Sequence, residues 1–451
     1  MNKILYFITI ILLNSSVFAV DLYNALSSAY TNNGDLQIIR NNFLNEIEQF
    51  PEAFSTFMPR ASYDTSNSTS QNKWDGQYAR VRPKQNIKSQ QQILTVKQPL
   101  FSGGSSVAAL KSAQSAFRAS RAKYYADEQK VLLSLITAYI DCYEAKKKYE
   151  ISEISVQANV RQLATIDEKL RLGEATVIDL ASAKAGLAAA ETSKLTLYAN
   201  YQTTKANFIR VFGIEADDID MPALPDNLPN SCEELMQRAL NVNPNIDSNR
   251  NMVQSKKASE MAAKAELLPK IDFVIQSGKT LYDPQNQLTG QNNRSTTSTI
   301  SVNIPIYSQG GVEYSRIRRA KNNTRQAAIQ LDDAVKQIKA TSISGWEQFK
   351  AAKSKIIATS QGVEAAQISY EGIMQEEIVG SKTILDVLTA EENLYKAKIS
   401  QVDAYRDSIL SAYQLKSLTG ELTARSLKLK VKYFSPEDEF KNLKKKLIIG
   451  F

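Results

Sequence analysis

Residues 171–187 read RLGEATVIDLASAKAGL, and residues 378–394 read IVGSKTILDVLTAEENL. Gly173, Thr176 and Asp179 of the first stretch return as Gly380, Thr383 and Asp386 of the second, about 207 positions on. Each Gly follows a long helical pattern and can take the left-handed conformation that ends a helix. In each Thr-x-x-Asp the Thr oxygen can accept an orphan backbone N–H, while the acid faces the positive end of the next helix. The spacing predicts two tight helix-to-helix turns.

Outward from the turns, further pairs recur in the same order. Ala25-Leu26 is answered by Ala239-Leu240, FMPRASY at 57–63 by LLPKIDF at 267–273, and QPLFSGG at 98–104 by IPIYSQGG at 304–311. Ordered matches at a near-constant offset indicate one plan written twice. Each half reads as an amphipathic helix, two strands around a polar loop, a very long helix, the turn, and a helix running back. The division expected is 1–19 as a signal peptide, 20–230 and 231–420 as the two repeats, and 421–451 as a basic tail, flexible or associated with the helices.

The helices are expected over Ser105–Leu172, free of Pro and Gly, and Gly311–Val379, free of Pro. At 1.5 Å per residue each would reach about 100 Å. Leu132, Leu135, Ile136, Tyr139, Ile140 and Tyr143 recur at helical steps, a packing stripe; Ala109, Ala113 and Ala116 make a narrower one. Helices of this length need neighbouring helices.

The strands alternate. In TISVNIPIY (299–307), Ile300, Val302, Ile304 and Ile306 share one face; in QILTVKQPLF (92–101), Leu94, Val96 and Leu100 do, with Gln98 interrupting. Ile271, Phe273 and Ile275 form a third apolar face, Ala61 and Tyr63 a weaker one. Polar loops are expected over roughly Ser66–Ser89 and Tyr282–Ser298. A soluble sandwich is the plain alternative. If the strands instead enter a membrane, four cannot close a barrel, since the smallest have about eight. Several chains must then share one, and a trimer would give about twelve strands.

Composition removes whole classes of chemistry. There is no His, which excludes Ser-His-Asp catalysis and His-bound zinc. Cys142 and Cys232 fit no metal spacing, and the sequence leaves open whether they bond. No phosphate-binding loop is present. No cofactor and no metal is expected. The net charge of +8 is interspersed with acids, a solvated surface rather than a nucleic-acid site. Lys3, the apolar run Ile4–Leu13 and Val17-Phe18-Ala19 read as a cleavable export signal, with an uncleaved anchor as the alternative.

The export signal, the paired strand-to-helix junctions, and the pair RLGEATVIDL and VGSKTILDVLTAEENLYKAK together resemble the TolC-like family of outer-membrane efflux and secretion channels. The resemblance implies a mainly α fold with a membrane β-barrel portion. Three chains would share a twelve-stranded barrel and a periplasmic helical tunnel closed by the hairpin tips. It places Asp386 at the closed end of the pore, with Thr389 where some members carry a second Asp. It pairs Lys382 with Asp179 across hairpins, and puts Glu377 where an aromatic partner is expected. It assigns adaptor docking to tip residues Leu172, Gly173, Thr176, Val379, Gly380 and Thr383. The implied partners are two further copies, a periplasmic adaptor protein, an inner-membrane transporter and outer-membrane lipid. On the residues alone, Asp179 and Asp386 can equally be helix caps, and Lys382 a solvated tip lysine. Function is then a passive, non-enzymatic exit duct. A periplasmic coiled-coil scaffold or adhesin without a pore is the alternative, and it leaves the apolar strand faces without a purpose.

Overall fold

The structure is a computed structural model, and it describes residues 21–77, 85–216, 218–282, 293–307 and 310–446. The expected signal peptide, Ser308 and Gln309 of the second junction, and terminal Phe451 lie outside the described residues.

Both halves follow one plan, with three helices before the strands in the first and two in the second. The first comprises α1 (Leu22–Asn32), α2 (Gly34–Ile47), α3 (Gln49–Ser55), β1 (Arg60–Asn72), β2 (Gln85–Ser102), α4 (Ser105–Arg171) and α5 (Val177–Phe212). The second comprises α6 (Cys232–Val242), α7 (Pro244–Ala265), β3 (Lys270–Tyr282), β4 (Asn293–Asn303), α8 (Val312–Ile378) and α9 (Ile384–Leu418); α10 (Pro436–Lys446) follows. α4 and α8 each run 67 residues, within a residue of the limits read from sequence. Among the described residues no helix is long and apolar enough to cross a membrane.

Two compact units emerge. One is drawn from Met1–Arg40, Tyr125–Pro244 and Lys336–Phe434, the other from Asn41–Tyr124, Asn245–Val335 and Ser435–Phe451. In the first, the expected α4 stripe is buried from Leu132 to Ile140, with Tyr143 partly covered; it packs on Leu26 of α1, Phe208 of α5 and Tyr413 of α9. The duplication reappears here in a contact that the sequence did not announce. Asn33, capping α1, donates to the Val211 carbonyl at 3.1 Å, and Asn243, capping α6, donates to the Leu418 carbonyl at 3.0 Å. Each amide satisfies a late carbonyl of a returning hairpin helix that has no partner within its own helix.

The second unit holds the sheet, antiparallel in the order β1-β2-β3-β4, so β1 and β4 are its edges. Rows of directly paired residues such as Ala61–Val96–Ile275 and Phe273–Ile300 place the apolar side chains on one face, as alternation requires. The Ala113 stripe lets α4 approach α7 closely, where Ser112 meets the hydroxyls of Ser255 and Ser259 at 3.0 and 2.8 Å.

Two expectations are corrected. First, the strands extend into the expected loops, because β1 runs to Asn72 and β2 begins at Gln85. Apart from Ile87, both faces there are polar, so alternation vanishes while the ladder continues, aided by bonds such as Ser68 to Ser89 at 2.8 Å. Second, β4 stops at Asn303, so Ile304 and Ile306 are not strand residues; Pro305 has no N–H for the ladder, and Ile306 is 83% exposed. Of the two alternatives for the tail, residues 421–446 take the associated one. Leu422, Ala424 and Leu429 are core residues of the first unit. In the second, Phe440 of α10 stacks on Phe117 with ring centroids 3.7 Å apart and meets Phe50 edge-on at 5.0 Å. Cys142 is buried, Cys232 is partly so, and both are free thiols.

Candidate functional site

The two turns have one geometry. Gly173 and Gly380 have φ of 81° and 80°, the left-handed region that a Cβ disfavours. After each, a backbone N–H reaches back five residues to close the helix end: Glu174 to the Lys169 carbonyl at 2.8 Å, Ser381 to the Glu376 carbonyl at 2.9 Å. The next helices start with reciprocal capping boxes. Thr176 N–H donates to the Asp179 carboxylate at 2.9 Å and Asp179 N–H to the Thr176 hydroxyl at 3.2 Å; Thr383 and Asp386 repeat these distances. The hydrogen bonds from Thr176, side chain first and then backbone, hold the Asp179 carboxyl below its ordinary range. Those from the Thr383 backbone and side chain, with Lys382 nearby, do the same for Asp386. The local reading of the repeated motif therefore stands in the structure at both tips.

The turns present apolar side chains outward. Leu172, Val177 and Ile178 of the first, and Ile378, Val379 and Leu385 of the second, are exposed, Val379 at 77%. Thr389 lies one turn past Asp386 and bonds the Leu385 carbonyl at 2.8 Å. Within the chain, the hairpins meet through Ile166 of α4, Ala183 of α5 and Ile384 of α9, all buried.

Within the chain, the ion pair between hairpins near the turns joins residues other than Lys382 and Asp179. Among the described residues no ion pair joins Lys382 to Asp179. Instead Lys169, at the end of α4, bonds Glu377, at the end of α8, at 2.6 Å, with both side chains largely shielded. Glu377 is the position where the resemblance implied an aromatic partner; here it is a charged one. Lys169 was missed, although it lies four residues before Gly173, because nothing local in sequence marks its partner across the hairpins.

Farther from the turns sits a second feature that the sequence did not reveal. Glu391 of α9 is 8% exposed and accepts a bond from Asn159 of α4 at 2.9 Å. Burial pushes its carboxyl up to about 7, against the pull of Arg161. It borders a cavity of about 410 Å³ walled by small side chains, including Ser155, Ser182, Gly186 and Ala189. Tyr395 closes one side, its hydroxyl 2.8 Å from that of Ser193. Beyond it, Lys148 pairs with Glu144 and Asp403, and Arg406 with Asp141 and Glu144. Among the described residues no group of acids, Cys or His could hold a metal ion.

A sheet with one apolar face, attached to duplicated helical hairpins that end in capped turns, defines an outer-membrane channel class. The chain belongs to the outer membrane efflux protein family, whose model matches residues 25–213 and 235–421. It is an efflux or secretion channel of the TolC family in the outer membrane, with a periplasmic helical extension, and not an enzyme. Among relatives, it is 28% identical over 439 residues to the outer membrane efflux protein BepC of Brucella suis biovar 1 (strain 1330), covering 97% of this chain and 93% of that one. It is 25% identical over 328 residues to the outer membrane protein TolC of Escherichia coli (strain K12), covering 67% and 64%. Among solved structures, the outer-membrane channel OprN superposes with a TM-score of 0.76 at 17% identity over 88% of this chain and 89% of that one. The Campylobacter jejuni CmeC outer membrane channel gives 0.75 at 17% identity over 95% and 89%.

Proposed function

We propose that three copies of this chain form one conduit, gated where the two hairpin turns of each copy converge. The observation that carries this reading is the sheet: four strands, one apolar face, and two unpaired edges at β1 and β4. Open edges in lipid would leave backbone groups unsatisfied at several kcal/mol each. Edge pairing between copies removes them, and three copies give about twelve strands, within the range of known barrels.

In this arrangement Asp386 and Thr389 line the constriction, with one carboxylate per chain rather than two. Lys382 and Asp179 lie between neighbouring copies, which accords with their lack of a mutual contact inside one chain. Lys169–Glu377 ties the two hairpins of the same chain. Because both side chains are largely shielded, removing either one would leave the other charge poorly solvated and unpaired. The exposed tip side chains Leu172 and Val379, with Gly173, Thr176, Gly380 and Thr383, form the docking surface for a periplasmic adaptor that connects to an inner-membrane transporter. BepC is named an efflux protein, and AprF of Pseudomonas aeruginosa, 21% identical, an alkaline protease secretion protein. Both kinds of cargo are compatible with a passive duct.

The test is single-channel recording in planar bilayers. Asp386→Asn should lower cation selectivity and weaken block by trivalent cations, because it removes the carboxylate ring at the narrowest point. Unchanged selectivity and block, with conductance intact, would take Asp386 out of the pore and leave it a helix cap alone.

A further inference from the structure

The sheet segregates its charges by face. In the four strands the only carboxylates are Asp64 and Asp272, and alternation puts both on the face opposite the apolar side chains. There Asp272 is neutralised by Lys97 at 2.8 Å. On the apolar face the only charged side chains among the described strand residues are three cations: Lys88, Lys279 and Arg294.

Two of these cations are directly opposed. Lys279 of β3 pairs in register with Arg294 of β4, and Gln92 of β2 stands on the other side of Lys279. Like charges directly opposite in a sheet repel. Neither has a carboxylate partner among the described residues, and Arg294 is exposed. The row lies just past the last apolar one, which holds Tyr63 and Leu94. Successive rows on one face are about 7 Å apart. It is also on the side of the strands away from the helices, which join at Arg60, Ser102, Lys270 and Asn303. With the helices periplasmic, this side faces the outer leaflet.

We propose that Lys279, Arg294 and Gln92 form a binding site for the phosphate of an anionic lipid of the outer leaflet, whose acyl chains lie along the apolar rows. Arg294 offers a planar fork suited to phosphate, Lys279 a point charge and Gln92 an amide donor. A phosphate cancels the repulsion that the pair otherwise carries, and the apolar rows favour an amphiphile over a free anion. The proposal rests on the shared-barrel reading, because only then does this face meet lipid.

The full-length protein is delipidated in detergent and titrated with a bisphosphorylated glucosamine lipid, the same lipid with its phosphates removed, and inorganic phosphate. Binding of the bisphosphorylated lipid should fall roughly tenfold or more in Lys279→Gln/Arg294→Gln, the loss expected for charge-assisted hydrogen bonds. A charge-matched control on the opposite face, Arg60→Gln/Lys270→Gln, should bind as the parent does. Without lipid, removing the opposed pair should leave the melting temperature unchanged or slightly raised, so the single variants Lys279→Gln and Arg294→Gln also serve if the double variant folds poorly. Equal binding by parent and variants, or equally tight binding of the phosphate-free lipid, overturns the site. Inorganic phosphate binding as tightly as the lipid overturns its assignment to lipid. Channel conductance separates the two readings: variants that conduct normally and bind normally refute only the lipid site, whereas a parent protein that forms no channel refutes the barrel.

Discussion

At the residue scale, Asp179 and Asp386 both cap helices, and Glu391, like Glu128 in the core, is an acid whose carboxyl burial pushes up. A carboxyl whose pKa is raised binds its proton more tightly in the packed state than in the solvated chain. The penalty of the charged form therefore sets in as pH rises above the ordinary 4.5 and is complete above about 7. Asn159 gives it one neutral hydrogen bond. Arg161, Tyr370 and Lys398 border it from three helices without an ion pair among the described residues. Glu391→Gln should thus stabilise the protein by about 1–2 kcal/mol at pH 8, a discounted value for a group with some access to water, and by much less at pH 5. Melting curves of parent and variant at both pH values decide this. An equal shift at the two pH values would mean that ionisation of Glu391 carries no penalty. None of this was legible in TAEENLYKAK, where Glu391 and Glu392 look alike. Glu392 forms an exposed pair with Lys396, and only the packing of α4 against α9 distinguishes its neighbour.

At the element scale, the duplication is exact in the length of the longest helices, α4 and α8, and inexact in surroundings. Gly103 and Gly310 occupy equivalent strand-to-helix junctions with φ of 62° and 64°. A Cβ on Gly103 would fall 2.6 Å from the Ala265 carbonyl and 2.7 Å from the Leu268 Cβ, while one on Gly310 would meet nothing within 4 Å. Gly310→Ala should therefore cost only the about 1–2 kcal/mol of a left-handed Ala. Gly103→Ala adds a clash with backbone and should lower the yield of folded protein in the membrane much further. Similar yields for the two would mean that the α7 end retreats without strain. The helices and the turns were readable because their determinants are local: no Pro in either long helix and no Gly in α4, then Gly, Thr and Asp at fixed spacing. The ends of the strands were not. Polar pairs such as Ser68 and Ser89 extend the ladder without alternation, and Pro305 ends β4 inside a run that still alternates.

At the scale of the whole molecule, the proposed shared barrel would pair the open edges of the sheet with other copies. Native mass spectrometry of detergent-extracted protein should give a trimer, and single-particle images should show three-fold symmetry with a detergent belt at the sheet. A detergent-free soluble monomer would sink the channel architecture. The sequence by itself determined the duplicated plan, the two capped turns, the long helices and the apolar strand face, since each depends on residues a few positions apart. Tertiary structure alone decided which side chains are neutralised and which are not. It paired Lys169 with Glu377, left Lys382 and Asp179 apart, buried Glu391, set Lys279 against Arg294, and fixed the C-terminal segment through Leu422, Leu429 and Phe440. The reason is physical: burial and charge pairing depend on what approaches from distant parts of the chain, and spacing along one segment carries no record of that approach.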